Sequence, residues 1–289
     1  MSIEPVNKAW DIMLDASERL EKAAIASARE EAEMLLAEIT GWDRSTLYID
    51  RTKSLNKNQI DHYRKWVDRR ATGEPYAHIV GYRDFWEHRF KVTPDTLIPR
   101  GDSETLVEAV LAQVGQDQAH RILDLGTGSG CLLLSLLHEM VNAKGVGVDI
   151  NSAALDVAAE NAKTVGCDSR VHWQQSNWFE NLVVNDSPFS ILISNPPYIP
   201  SADITTLDQG VKDFEPARAL DGGVSGLDCY EMILDGMVDY IAPDSLIIFE
   251  VGIHQADDLG KMMRDRGLKN IRTFKDLGQI ERIVSAIYS

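Results

Sequence analysis

Asn195-Pro196-Pro197-Tyr198 follows directly on FSILIS (189–194), a run of strand-forming residues that two prolines cannot continue, because neither offers an N–H to a sheet ladder. A proline after Asn195 biases that residue toward an extended backbone, and Pro196–Pro197 fixes the next φ angles. The Asn side chain and the neighbouring carbonyls are therefore held in a stiff cup of acceptors. Two converging carbonyl oxygens match the two hydrogens of a planar NH2 group, and Tyr198 offers a ring face to lie against it. The chemistry this suits is work on an amide or an exocyclic base amine. The plain alternative is a proline-rich turn between core strands.

A second group lies upstream. DLGTGSG (124–130) stands between a strand pattern and the helical run CLLLSLLHEM, and Gly126, Thr127, Gly128, Ser129 and Gly130 form a loop whose glycines allow a tight turn and close approach of a ligand to a helix start. The spacing is G-x-G-x-G, with Cys131 where a strict dinucleotide fingerprint wants glycine. Asp149 ends the next strand pattern, VGVDIN, where an acid accepts from both hydroxyls of an unphosphorylated ribose; its alternative is capping the helix that begins near Ser152. Glycine loop and acid together indicate an adenosine-bearing cofactor. A proline turn alone does not explain why the NPPY segment follows both.

Elements must place these three groups together. Strands are expected at 121–125, 144–150, 171–176, 189–194 and 245–251, with weaker ones near 271–276 and 283–287, and helical patterns fall between them. Such alternation means a mostly parallel sheet covered on both faces, with ligands beyond the carboxyl ends of its strands. Before it, residues 1–75 read as a helical bundle. Ser27 and Glu30 suggest a capping box, Ala32, Leu35, Leu36 and Ile39 repeat at helical spacing, and Gly41 supplies a stop. Helices are also expected around Trp10, Met13 and Leu14, around Ile60, Tyr63 and Val67, and over 102–114 with Leu106, Val107, Val110 and Leu111 on one face. Aromatic and β-branched residues over 76–100 suggest a hairpin connector. The long connection 199–227 is expected to border the site.

Composition narrows the function classes. The 289 residues suit one large domain with a smaller one attached. A net charge of −16 disfavours a nucleic-acid substrate, since such affinity comes from Lys and Arg neutralising phosphates. Three widely spaced cysteines give neither a metal pair nor a disulfide framework, which fits a reducing cytosol, and the opening residues show no leader or membrane segment.

The glycine loop, the ribose acid and the NPPY tetrapeptide, in this order, resemble the class I S-adenosylmethionine-dependent methyltransferase fold, a Rossmann-like, mostly parallel seven-stranded sheet. More closely, GEPYAHIVGYRDFWEHRFKV, LIPR with Glu104, DLGTGSG, VDINSAALDVAAENA, SNWF, NPPYIP, FEPARALDGG with GLDCY, and EVGIHQ resemble the peptide chain release factor glutamine methyltransferases, the PrmC or HemK family. That resemblance implies three parts: an N-terminal substrate-docking bundle (1–75), a hairpin linker (76–101) and a catalytic domain (102–289). It implies S-adenosyl-L-methionine as cofactor, S-adenosyl-L-homocysteine as product, and N5-methylation of the glutamine in the Gly-Gly-Gln loop of release factors, in the cytoplasm, by a monomer without direct nucleic-acid, membrane or metal partners. Gly126 to Gly130 would surround the methionine part, Asp149 the ribose, and Asn177 and Trp178 the adenine. Asn195 and the Pro196 carbonyl would hold the substrate amide, Tyr198 its plane, with Pro197 setting the geometry. Two departures stand out: Gly101-Asp102-Ser103-Glu104 replaces Pro-Glu-Thr-Glu, and Asn177 replaces Asp. The alternatives are glutamine methylation of another protein such as a ribosomal one, adenine methylation of nucleic acid, and a binding protein that has lost catalysis.

Methyl transfer from a sulfonium needs no acid for the leaving thioether, so neutral oxygens that hold the NH2 suffice, and no His or Glu base is expected. His138, His172 and His254 are read as structural, in helix or strand contexts, and Phe85 and Trp86 as hairpin packing. Arg64, Lys65, Arg69 and Arg70 read as a solvated helix face. Glu250 and Gly252 end a strand and border the pocket.

Overall fold

The computed structural model describes residues 7–183 and 188–289; the opening residues 1–6, part of the stretch read as lacking a leader, lie outside them. The described chain forms two compact units, one of residues up to Gly81 together with Asp208–Phe214, the other of Tyr82–Leu207 with Glu215–Ser289.

In the first unit, apolar residues three and four apart give α1 (Ala9–Lys22), α2 (Ala28–Thr40), α3 (Arg44–Ile49), α4 (Lys57–Ala71) and α5 (Tyr76–Val80). Met13, Leu20, Leu35, Leu36, Ile60, Tyr63 and Val67 share their core. Tyr63 is fully buried, and its hydroxyl donates to the Ala32 carbonyl at 2.8 Å. Gly41 takes φ +68° at the α2 terminus as expected, but Ser27 makes no capping hydrogen bond. The capping box lies instead on α4, where Asn56 and Gln59 bond reciprocally. Two of the four basic residues read as solvated are paired, Arg69 with Glu74 and Arg70 with Glu31. Residues 76–80, read as part of the hairpin, form helix α5, because Pro75 presets φ at its start and Gly81 ends it at φ +86°.

The second unit opens with β1 (Tyr82–Phe85) and β2 (His88–Lys91), an antiparallel hairpin turning at Trp86, φ +52°. A short 3-10 turn over Gly101–Ser103 leads into α6 (Glu104–Leu111). Then come β3 (Arg121–Leu125), α7 (Cys131–Glu139), β4 (Lys144–Asp149), α8 (Ser152–Val165), β5 (Val171–Gln175) and β6 (Phe189–Ser194). α9 (Gln209–Lys212) belongs to the first unit. α10 (Asp228–Gly236), β7 (Ile241–Glu250), α11 (Ala256–Asp265), β8 (Lys269–Lys275) and β9 (Glu281–Tyr288) complete the chain.

Seven strands form one sheet in the order β5-β4-β3-β6-β7-β9-β8, with β9 alone running antiparallel to its two neighbours. Alternate residues point to opposite faces, so Ile191 and Ile193 pack with α6 and α7 and Leu192 with α10 and α11, and a register shift between Phe189 and Ile191 brings Phe189 to the face of Leu192. All four are fully buried, each worth roughly 1.5–3 kcal/mol of apolar transfer. The chain order reverses direction across the sheet between β3 and β6, the topological switch point where a crevice opens at the strand ends. Register then fixes what meets there: Leu125 pairs with both Val148 and Ser194, and Ser194 with Phe249. The next residues in those strands, Gly126, Asp149, Asn195 and Glu250, therefore leave the sheet side by side.

Candidate active site

The glycine loop begins where β3 runs out. Gly128 sits at φ +55° with open space where a side chain would be, and Gly130 at φ +79° is closed in, since a Cβ there would lie 3.0 Å from Trp173 and 3.3 Å from Ala158. Gly128 leaves backbone open to a cavity, and Gly130 lets the start of α7 pack against α8 and the Trp173 ring. Asp149 fastens the loop: its Oδ2 accepts from Gly128 N–H at 2.9 Å and its Oδ1 from Asn151 N–H at 2.8 Å. The capping alternative for Asp149 fails, because Asn151 is the residue whose side chain caps α8. Burial raises the Asp149 acid, and the backbone donors at Asn151 and Gly128 oppose it.

A cavity opens over these groups, with about 980 Å³ of non-atom space including its mouth. Gly126, Thr127, Gly128, Asp149, Asn177, Trp178, Asn195 and Pro197 all line it, so three motifs far apart in sequence share one chamber. Ser129, Gly130, Pro196 and Tyr198 are not among its walls. Ser129 and Pro196 are buried behind it, and the Ser129 carbonyl accepts from Asn161 at 2.9 Å. Trp178 takes φ +50°, a left-handed backbone uncommon for a large side chain, and its ring stands 3.7 Å from where a Gly126 Cβ would be. Asn177 donates from Nδ2 to Glu180 at 2.8 Å, which leaves its oxygen as the atom able to accept.

The NPPY segment is pinned from outside the cavity. Ile199 N–H donates to Leu220 O at 3.0 Å, Gly222 N–H to Ile199 O at 2.9 Å, and Gln255 Nε2 to the Tyr198 carbonyl at 2.9 Å. Gly222 lies so close that a Cβ there would be 2.7 Å from Tyr198 Cα and 2.8 Å from the Pro197 oxygen. Burial pushes the Tyr198 phenol up to about 12. Asn195 Nδ2 reaches Ser103 Oγ at 3.5 Å.

Several residues of the site were assigned no role from the sequence, although Glu215 and Asn161 lie within the stretches FEPARALDGG and VDINSAALDVAAENA. Glu215 is buried and ties two walls together, accepting from Ile98 N–H at 3.1 Å and from Arg100 at 2.5 Å. Asn161 is 1% exposed; it accepts from Lys91 N–H at 2.8 Å and donates to the carbonyls of Lys91 at 3.1 Å and Ser129 at 2.9 Å, joining the hairpin to the glycine loop. A polar residue on the buried face of an amphipathic helix was its one available signature. Pro216, Arg218 and Ala219 of the long connection line the cavity, whereas 208–214 sit in the first unit. Gly101 starts a 3-10 turn in which Ser103 N–H donates to Arg100 O at 3.1 Å, so hydrogen bonding rather than a proline ring shapes this departure. Glu250 and Gly252 lie behind the cavity; neither is in its wall. His254 is in a loop at φ +72°, not in a helix or strand, and His138 packs on His88 with ring centroids 4.3 Å apart. Glu87, His138 and Glu139 bring ligand-type atoms within 4.8 Å of one another, but Glu139 is engaged by the Trp86 indole N–H at 2.7 Å.

An adenosyl cofactor fits this chamber on three observations. Gly128 leaves open backbone, each Asp149 oxygen keeps a lone pair beyond its backbone donor, and the Trp178 ring beside Gly126 flanks the same space. Comparison with known proteins agrees. Residues 11–81 match the PrmC N-terminal domain and residues 116–235 a methyltransferase domain. A release factor glutamine methyltransferase of Caulobacter vibrioides is 35% identical over 280 residues, spanning 97% of this chain and 95% of the relative. The chain belongs to the release factor glutamine methyltransferase family. Similar family members include those of Francisella tularensis, 39% identical over 90% of each chain, and Rhodospirillum rubrum, 38% identical over 93% of this chain and 81% of the relative. Among solved structures, the hMettl16 catalytic domain in complex with the MAT2A 3′UTR hairpin 6 superposes with a TM-score of 0.56 at 10% identity, covering 81% of this chain and 83% of that one. At that identity it supports the fold alone, the class I S-adenosylmethionine-dependent methyltransferase fold. Among the described residues no helix is long and apolar enough to cross a membrane.

Proposed function

We propose that this protein methylates the side-chain amide nitrogen of the glutamine in the Gly-Gly-Gln loop of peptide chain release factors, using S-adenosyl-L-methionine. The observation that carries the reading is the shared cavity: the glycine loop, Asp149 and Asn195 open onto one chamber in a chain of this family. S-adenosylmethionine supplies an electrophilic methyl group when bound. Gly126, Thr127 and Gly128 receive its methionine part, Asp149 its ribose hydroxyls, and Asn177 and Trp178 its adenine. Ser129 and Gly130 act from behind, by shaping the loop.

The chemical difficulty is the amide nitrogen, whose lone pair is delocalised into its carbonyl. Asn195 Oδ1 and the Pro196 carbonyl hold the two NH2 hydrogens, which aims the nitrogen and favours the positive charge that develops on it. Pro197 sets the backbone angle of this cup, and Tyr198 supports it. No side-chain base is required, because the nitrogen proton of the product cation is acidic enough to leave to water. The N-terminal helices (1–75) dock the protein substrate, 76–101 links, and 102–289 carries the chemistry, in a cytoplasmic monomer.

Incubation with S-adenosylmethionine and an unmodified release factor, with duplex DNA in a parallel tube and peptide mass spectrometry as readout, tests this. The expected product is one methyl on the loop glutamine and none on DNA. Methylated DNA beside an untouched release factor would sink the substrate assignment.

A further inference from the structure

A buried acid stands directly behind the amine cup. Glu250 ends β7 beside Asn195, because Ser194 and Phe249 are paired in the sheet. Its residue is 2% exposed, and among the described residues its Oε2 has no hydrogen-bond partner. Asn195 Nδ2 meanwhile has only a long contact, 3.5 Å to Ser103 Oγ, and Ser103 is itself 3% exposed. The Ser103 and Asn195 side chains both draw the Glu250 acid down, against the effect of its burial. An orphaned acceptor thus stands behind a slack donor and a rotatable hydroxyl of the cavity wall, an arrangement that tightens when a ligand seats.

The polarity of that chain decides what Asn195 can do. An ionised carboxylate only accepts, so the Ser103 O–H points at it and the Ser103 lone pairs receive Asn195 Nδ2–H. Asn195 Oδ1 then faces the cavity and accepts from an incoming NH2. A protonated Glu250 has a hydrogen of its own to give. Ser103 then turns its hydrogen toward Asn195, the amide reverses, and an N–H faces the substrate's N–H.

We propose that Glu250, acting through Ser103, is a positioning residue that sets which end of the Asn195 amide faces the cavity, so that the cup accepts an NH2 group only while Glu250 is ionised. This rests on the reading of Asn195 as the holder of the substrate amide. Burial raises the Glu250 acid to about 7, with Ser103, Arg282 and Asn195 opposing and Asp102 reinforcing, so the switch falls within the working pH range. The other charged or titratable groups facing it are Tyr198, Tyr230 on α10 and Cys131 on α7. Arg282 does not neutralise it outright, because its guanidinium is shared with Asp276 at 3.1 Å and Asp102 at 3.3 Å.

The test uses full-length protein labelled with [15N]asparagine, the Asn195 side-chain NH2 being assigned by its loss in Asn195→Ala. The Asn195 signals are expected to shift with a midpoint near 7 in wild type and to stay fixed in Glu250→Gln and Ser103→Ala. The kcat for release-factor methylation should rise along the same midpoint, about tenfold to a hundredfold across it, at an unchanged cofactor dissociation constant. In Glu250→Gln that limb should be flat. Wild-type Asn195 signals that do not move overturn the proposal, as does a shift that survives in Glu250→Gln, which would assign the titration to another group. An intact, Glu250-dependent Asn195 titration without methylation of the release factor at any pH would support the positioning and overturn the substrate reading instead.

Discussion

Gly222→Ala should disable the amine cup without a single atom of the cavity wall being replaced. The added methyl would sit 2.7 Å from Tyr198 Cα and 2.8 Å from both Tyr198 C and the Pro197 oxygen. Carbon contacts relax near 3.5–4.0 Å, so about 1 Å must be found between two backbones. Neither segment is free to yield it, because Gly222 N–H is bonded to Ile199 O at 2.9 Å and the Tyr198 carbonyl to Gln255 at 2.9 Å. No left-handed φ is required at Gly222, so the effect is steric alone. Overpacking of this kind costs roughly 1–3 kcal/mol of stability. A displacement near 1 Å beside the reacting nitrogen costs about a hundredfold in rate. The assay is kcat on an unmodified release factor beside calorimetric titration of S-adenosylmethionine. The expected outcome is a large fall in kcat with the cofactor affinity nearly kept, since the glycine loop and Asp149 lie on other strands. A kcat at the wild-type value, with unchanged melting temperature, would refute the claim that the 221–222 segment buttresses NPPY.

Asn161→Ala removes three hydrogen bonds and strands the Lys91 amide and the carbonyls of Lys91 and Ser129, which should cost about 3–5 kcal/mol in urea unfolding; a loss under about 1 kcal/mol would mean the hairpin is not anchored there. Asp124 is buried beside Asp149 and its acid is raised from 3.8 to about 7. Between those values the unfolded chain ionises while the folded one keeps its proton, so stability falls as pH rises through that window, by up to about 4 kcal/mol, and the penalty is absent in acid. Melting temperatures of Asp124→Asn relative to wild type should therefore climb from pH near 4 to pH near 8, and a constant difference would remove the argument. Trp178→Ala should weaken S-adenosylmethionine binding about tenfold by calorimetry, through lost ring contact, and an unchanged affinity would take adenine away from that wall.

Much of the framework follows from local pattern. FSILIS is a strand because a continuous apolar run buried on both faces suits the middle of a parallel sheet, and it ends at residue 194 because prolines end it. The glycine loop was readable because positive φ and close approach restrict those positions to glycine. Helix α5 escaped because five residues carry too little periodicity to outweigh their aromatic and β-branched composition. Ser27 did not cap, since a capping box is a geometric fit and the sequence supplies only its letters.

What the sequence supplied by itself was separate pieces: a strand ended by Asn-Pro-Pro-Tyr, a glycine turn, an acid at the end of the next strand, and the alternation that makes a parallel sheet. Tertiary structure alone decided that the pieces meet. Register carries Gly126, Asp149, Asn195 and Glu250 out of neighbouring strands in one row, though they span 125 positions of sequence numbering from first to last. It also decided which polar residues matter from behind. Glu215, Asn161, Gln255 and Glu250 gain their roles from burial beside backbone groups or other side chains contributed by distant segments, and a hydrogen bond across such a distance leaves no trace in local spacing.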